Sequence, residues 1–253
     1  MKIFISFALL MGSLSVSVNG AWAAKPKYGP EGRPIAVPLS ADSSYFRKAA
    51  APDFWRLIPF YQAQFNGAAC SVASVVNLLN AIRGSQGLTS DDGLVTQEGI
   101  LKKVDAEYWA ERMSKLGWMG KHGLTLPLLG KVVEAALRQY GLTQYEVKVV
   151  HVDSADPAQL KSLRAALRAN EKSADDFIIA NFLQSGFTAD SDAGHISPVG
   201  AYDAANDRVL ILDTDREWYE PYWGSVEAFA KGMATLDSES KAPRGYVWVK
   251  KKG

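Results

Sequence analysis

From Cys70 onward, apolar residues recur at three- and four-residue intervals, at Val72, Val75, Val76, Leu79 and Ile82. That spacing predicts an amphipathic or wholly buried helix over 70–82, ending before Arg83-Gly84. The same periodicity predicts helices over about 97–116, 126–140, 157–170 and 225–235. The helix at 157–170 carries a start signal, because Asp156 can accept bonds from the free N–H groups of the first turn and Pro157 suits the first helical position. Strand patterns fall later, over 145–152, 177–183, 196–202, 209–213 and 245–250. A helical first half and a sheet-rich second half predict an α+β fold.

Asp203-Ala204-Ala205-Asn206, between two strand patterns, reads as a hairpin turn. A turn centred near residue 204 pairs residues whose numbers sum to about 408, which sets His195 opposite Asp213 with Cβ atoms roughly 5 Å apart. A one-residue slip would put them on opposite faces.

The N-terminus has the layout of a secretory signal peptide: Lys2, an apolar stretch over 3–16, then Ala21-Trp22-Ala23 before Ala24. The expected divisions are a signal peptide over 1–23, an irregular Pro-, Gly- and Ser-rich arm over 24–51, and one catalytic domain over 52–253. The expected location is export, to the periplasm. No cysteine stands at the cleavage point to take a lipid, and no later segment approaches ~20 continuous apolar residues. Of the 253 residues, 28 are Lys or Arg and 27 are Asp or Glu. Losing Lys2 with the leader leaves the basic and acidic residues equal in number, a balance that argues against nucleic acid or an anionic membrane as partner.

Cys70 is the only cysteine, so it cannot close an internal disulfide. Its uses are reactivity, metal binding or plain packing, and an unpaired thiol in an exported chain stands out as a reactive group. At a helix N-terminus it faces free backbone N–H groups and the positive end of the helix dipole, which favour negative charge on the sulfur. His195 is the candidate base, Asp213 the residue that orients its imidazole, and Gln64 an amide donor for a developing oxyanion. The order of Cys, distant His, then orienting residue is papain-like. His122 in Lys121-His122-Gly123 and His151 at a strand end read as solvated or structural. Asp203, Asp207 and Asp215 compete with Asp213, and Gln62 with Gln64.

Several segments resemble the phytochelatin synthases, whose catalytic domain is papain-like. They are Gln64 to Cys70 running into Val76-Asn77-Leu78-Leu79-Asn80-Ala81, then Gly123-Leu124-Thr125, and above all Gly194-His195-Ile196-Ser197-Pro198-Val199-Gly200-Ala201-Tyr202. That last segment continues into Val209-Leu210-Ile211-Leu212-Asp213, then Arg216, Tyr219, Pro221 and Trp223, and the match closes with Arg244-Gly245-Tyr246. The resemblance implies an enzyme that expels glycine from glutathione, holds γ-glutamylcysteine as a thioester on Cys70, and passes it to water or to a second glutathione to make phytochelatin. It implies catalytic roles for Cys70, His195 and Asp213, an oxyanion role for Gln64, and substrate binding at Arg216, Tyr219 and Gly194.

The departures also carry weight. Plant members have a basic residue two places after the arginine matched by Arg216, where this chain has Glu217 and then Trp218. They also carry a cysteine-rich C-terminal domain, and this sequence, ending at Gly253 with one cysteine and three histidines, is expected to behave like the short bacterial members. The expectation is no intrinsic metal: Cd²⁺ or Zn²⁺ would enter as metal–glutathione thiolates, so the expected partners are glutathione and those thiolates. Glycine removal ranks above polymer synthesis. The alternatives are an exported papain-like cysteine peptidase acting on another peptide, and a catalytically silent protein that binds glutathione or metal thiolates.

Overall fold

The computed structural model describes residues 27–30, 34–188 and 191–253. The expected signal peptide over 1–23 lies outside the described residues. Seven strands form one sheet: β1 (Ala36–Pro38), β2 (Tyr145–His151), β3 (Asp176–Leu183), β4 (Gly194–Asp203), β5 (Arg208–Ile211), β6 (Tyr222–Ser225) and β7 (Gly245–Lys251). Their order is β1-β6-β5-β4-β3-β7-β2, and every neighbouring pair is antiparallel. The helices are α1 (Pro52–Leu57), α2 (Cys70–Ser85), α3 (Gln97–Lys103), α4 (Trp109–Arg112), α5 (Leu126–Gln139), α6 (Pro157–Asn170) and α7 (Val226–Met233). This is a mixed α/β architecture built on an antiparallel sheet, as the pattern predicts. No helix among the described residues is long and apolar enough to cross a membrane.

The sheet is covered on both faces. Phe177 and Ile179 of β3 and Val247 and Val249 of β7 pack with α2 and α5, while Ile178, Ala180, Phe182 and Trp248 pack with α6 and α7. Successive strand residues point to opposite faces, so β3 is buried along nearly its whole length. Burying apolar side chains at about 25 cal/mol per Å² makes these two layers the main source of stability. Helix α2 runs through the larger core, and Cys70 to Ile82 are all buried. Its apolar surface therefore extends all round, and a sided pattern is weak.

Three local differences from the sequence reading have physical causes. The predicted 97–116 helix is two: Glu107 and Tyr108 take left-handed φ of 53° and 55°, and the restart at α4 buries Trp109, whose Nε1 donates to Ser71 Oγ at 3.0 Å. The arm over 24–51 is not wholly irregular, since β1 pairs with β6 at the sheet edge. The three-residue β1 and four-residue β6 have no counterpart among the predicted strands, whereas β5, also of four residues, does.

The hairpin register also differs. Pairs Asp203↔Arg208, Tyr202↔Val209 and Ala201↔Leu210 sum to 411, whereas Val199↔Ile211 sums to 410. The turn is longer than expected because Asp207 takes a left-handed φ of 49° and Asp203 Oδ1 accepts from the N–H groups of Ala205 and Asn206. Gly200 is then the extra residue of a β-bulge. A Cβ at Gly200 would stand 2.8 Å from the Leu212 side chain, so glycine suits the bulge. The bulge matters to the site. With a sum of 411, odd-numbered residues would face even-numbered ones, and His195 and Asp213 would fall on opposite faces. The shift to 410 returns both to one face.

Candidate active site

Helix α2 begins at Cys70 in a turn held from several sides. Asn66 Oδ1 accepts from the Ala68 N–H at 2.8 Å, and Asn66 Nδ2 donates to the Met113 carbonyl at 2.9 Å. The first N–H groups of a helix lack partners within it, so those of Cys70 and its neighbour are free to face a ligand. Ser74 Oγ stands 2.8 Å from the Cys70 carbonyl and 3.0 Å from that of Ile196. That hydroxyl ties the cysteine's turn to the residue beside His195.

His195 Nε2 lies 2.8 Å from Asp213 Oδ1, which leaves Nδ1 for the Cys70 sulfur. The imidazole is buried and Asp213 is fully so. Burial alone would pull the imidazole's pKa down, but the Asp213 carboxylate and the Cys70 sulfur outweigh it and hold it well above 6.5. Burial pushes the Asp213 carboxyl up, and the imidazolium, the Asp215 N–H and the Tyr222 hydroxyl bring it below the usual carboxylate range. Asp215 N–H donates to Asp213 Oδ1 at 2.9 Å, and Gln184 Nε2 reaches Oδ2 at 3.3 Å. Gln184 and Tyr222, which steady the carboxylate, are absent from the sequence reading. Both stand outside any motif, and only the sheet brings them to Asp213.

Gln64 joins this group through Thr214: its backbone N–H donates to the Thr214 carbonyl at 2.8 Å, and its Oε1 accepts from Thr214 Oγ1 at 3.3 Å. With Oε1 engaged, the amide NH₂ is the end left for an oxyanion. Gln62 is committed elsewhere, accepting from Gln97 Nε2 at 3.0 Å.

Two cavities flank His195. The larger, about 610 Å³, is lined by Cys70, Asn181, Gly194, His195, Asp237 and Arg244, with Gly120 to Thr125 across from them. Arg244, 7% exposed, donates through Nη1 to Asp237 Oδ2 at 2.8 Å and to Asn181 Oδ1 at 3.1 Å. A Cβ at Gly194 would sit 2.8 Å from Arg244 Nη1, so the missing side chain makes room for the guanidinium. Arg112 and Lys121 both reach Glu239 and close the outer wall. The second cavity, about 520 Å³, is lined by Gln64, His195, Gly194, Asp215, Trp218, Tyr219 and Lys27 among others.

The structure brings Cys70, His195, Asp213, Gln64, Gly194 and Tyr219 into one region. It does not bring Arg216 there: its guanidinium lies over the Tyr61 ring at 5.4 Å and donates to the Tyr219 carbonyl at 3.2 Å, and it lines neither cavity. His122 lines the larger cavity, whereas His151 Nδ1 bonds the Pro243 carbonyl at 2.6 Å outside both. Asp203 and Asp207 pair with Arg208 and Arg164 at the hairpin. Among the described residues no group of three or more His, Cys, Asp or Glu is arranged to hold a metal ion.

A buried cysteine, histidine and aspartate thus meet at the start of α2 on an antiparallel α/β frame. The chain belongs to the phytochelatin synthase family, whose model matches residues 35–246. It is 26% identical over 231 residues to "Glutathione gamma-glutamylcysteinyltransferase 3" of Lotus japonicus, covering 88% of this chain and 41% of that protein. With "Glutathione gamma-glutamylcysteinyltransferase 1" of Triticum aestivum it shares 29% over 206 residues, 79% of this chain and 36% of that protein. The fission yeast Schizosaccharomyces pombe protein "Glutathione gamma-glutamylcysteinyltransferase" is 41% identical over 54 residues, 21% of this chain and 13% of that protein. The chain thus spans about two fifths or less of the length of these relatives.

Proposed function

We propose that this protein is a papain-like thiol enzyme that removes glycine from glutathione through a γ-glutamylcysteinyl thioester on Cys70. The observation that carries this reading is the 2.8 Å pairing of His195 Nε2 with Asp213 Oδ1 beside Cys70 at the start of α2, in a chain matched by the phytochelatin synthase model over 35–246. The Cys70 sulfur attacks the carbonyl of the amide that joins cysteine to glycine, and a C–S bond forms. Charge gathers on the carbonyl oxygen, where the Cys70 N–H and the Gln64 amide are the donors. His195 gives its proton to the glycine nitrogen as the C–N bond breaks. Water then attacks the thioester, His195 takes its proton, and the sulfur leaves as thiolate with γ-glutamylcysteine. A second glutathione in place of water gives phytochelatin.

The larger cavity suits the γ-glutamyl head, which bears an α-carboxylate and an α-ammonium group three carbons from the side-chain carbonyl. Arg244 offers a guanidinium to the carboxylate and Asp237 a carboxylate to the ammonium, a fit based on opposite charges in one walled space. Cd²⁺ or Zn²⁺ acts in this reading as part of a metal–glutathione thiolate substrate, since soft ions prefer thiolate sulfur. We further propose export, on the layout of residues 1–23, which N-terminal sequencing of the purified native protein checks.

The test is to incubate the reduced protein with glutathione, with and without Cd²⁺, beside Cys70→Ser, and to follow glycine, γ-glutamylcysteine and phytochelatin by mass spectrometry. Glycine release that disappears in the variant is the expected result. Release that persists in the variant, or none from the parent protein, overturns the reading.

A further inference from the structure

The smaller cavity contains an amine that neither family motif nor triad accounts for. Lys27 Nζ donates to the Trp218 carbonyl at 2.8 Å and stands 5.5 Å from the centre of the Trp218 ring. Among the described lining residues of that cavity it is the one with a permanent positive charge. Its position is built into the fold. Tyr28, the next residue, packs edge-on against Tyr219 and Tyr222 at 6.1 and 5.8 Å, and its hydroxyl accepts from the Glu220 N–H at 3.2 Å. Tyr222 is the residue whose hydroxyl faces Asp213, so the arm is docked directly behind the triad.

The two cavities divide the substrate. The larger holds the Cys70 sulfur, so an acyl group on that sulfur extends there. The smaller holds Gln64 and His195 without Cys70, and so faces the group on the other side of the scissile bond. That group is an amine beside a carboxylate. Glycine leaves as one, and an acceptor glutathione presents another, because its α-amine and α-carboxylate are attached to one carbon.

We propose that Lys27 binds the α-carboxylate of the amino-acid unit whose amine leaves in the first step or attacks in the second. This extends the reading of the site as a glutathione-cleaving enzyme. In the first step the amide C–N bond breaks, the nitrogen takes the His195 proton, and the carboxylate stays on Lys27 until glycine departs. In the second the neutral acceptor amine forms a C–N bond with the thioester carbonyl, the C–S bond breaks, its electron pair stays on sulfur, and the surplus amine proton goes to His195. One cation serves both because leaving and attacking nitrogens occupy the same position.

The experiment compares kcat/KM for glutathione and for glutathione amidated at its glycine carboxylate, in the parent protein, Lys27→Ala and Lys27→Arg. The parent is expected to prefer the free carboxylate by about fivefold, the upper end for a partly exposed ion pair. Lys27→Ala brings the ratio near one, and Lys27→Arg restores most of it. A ratio unchanged in Lys27→Ala overturns the proposal, as does a parent protein with no preference. A parallel calorimetric titration of both peptides into Cys70→Ser, with and without Lys27→Ala, separates the two readings. If the parent releases no glycine, the proposed reaction fails, yet a carboxylate preference in binding that Lys27→Ala removes still supports Lys27. Binding without that preference, or no binding, overturns it.

Discussion

Thr214 holds Gln64 from two directions, taking its backbone N–H at 2.8 Å and meeting its side-chain Oε1 at 3.3 Å. Thr214 follows Asp213, so the segment that carries the partner of His195 also holds Gln64, the proposed oxyanion donor. Gln64→Ala is expected to lower kcat for glycine release on the order of 10²–10³-fold with little change in KM, the behaviour of a lost oxyanion donor. Thr214→Val keeps the backbone bond and the volume but not the hydroxyl, and should cost roughly tenfold. Equal losses in the two variants would show that Gln64 acts only by holding the chain.

Asp213 is expected to control both rate and pH profile. Asp213→Asn leaves the side-chain shape but removes the charge that holds the imidazole's pKa up. The loss in kcat should be on the order of 10³–10⁴-fold. The sign follows from the direction of the shift: with a lower imidazole pKa, the proton needed by the leaving amine is lost sooner as pH rises. The alkaline limb of the residual activity should therefore move to lower pH, and a limb that stays in place would argue against the pairing.

Arg244 is nearly buried and paired with Asp237. Arg244→Ala strands that carboxylate, and breaking a pair of this kind costs roughly 3–5 kcal/mol when burial is complete. The expected result is a lower melting temperature and a KM for glutathione raised at least about tenfold. Alkylation of Cys70 by iodoacetamide should proceed at the parent rate, which separates loss of binding from loss of the nucleophile. Restored stability without restored KM is expected in the Arg244→Ala, Asp237→Ala double variant.

Two carboxyls remote from the site should make stability fall as pH rises. Burial raises Glu171 from 4.5 to about 7, although the Tyr202 N–H and Tyr45 hydroxyl partly oppose it. Burial also raises Asp53 well above its ordinary value; Asn170 Nδ2 donates to its Oδ2, and its buried Oδ1 has no hydrogen-bond partner. Because both folded values are raised, this stability is complete below the unfolded pKa and is lost as pH rises through the folded one. For Glu171 the loss runs from 4.5 to about 7 and amounts to roughly 3 kcal/mol at about 1.4 kcal/mol per unit. Denaturant melts of Glu171→Gln and Asp53→Asn should show a flatter pH profile than the parent, and parallel profiles would refute it.

Much of this protein is written in local pattern. The helix at Cys70, the Asp156-Pro157 start of α6 and the four longer strands, β2, β3, β4 and β7, follow from periods of 3.6 and 2, which need only neighbours in sequence. The residue types at Cys70, His195, Asp213 and Gln64 are likewise legible, because their chemistry belongs to the side chain. What only the tertiary structure decided is where those groups meet. The bulge at Gly200 sets the face on which His195 and Asp213 lie, and a register depends on turn geometry that composition does not encode. Arg244, Asp237, Gln184 and Tyr222 reach the site from distant strands and loops, and Arg216 turns away onto Tyr61. Lys27 enters only because Tyr28 packs against two tyrosines nearly two hundred positions further along the chain. Local periodicity specifies elements, whereas a site of long-range contacts exists only once burial has brought those elements together.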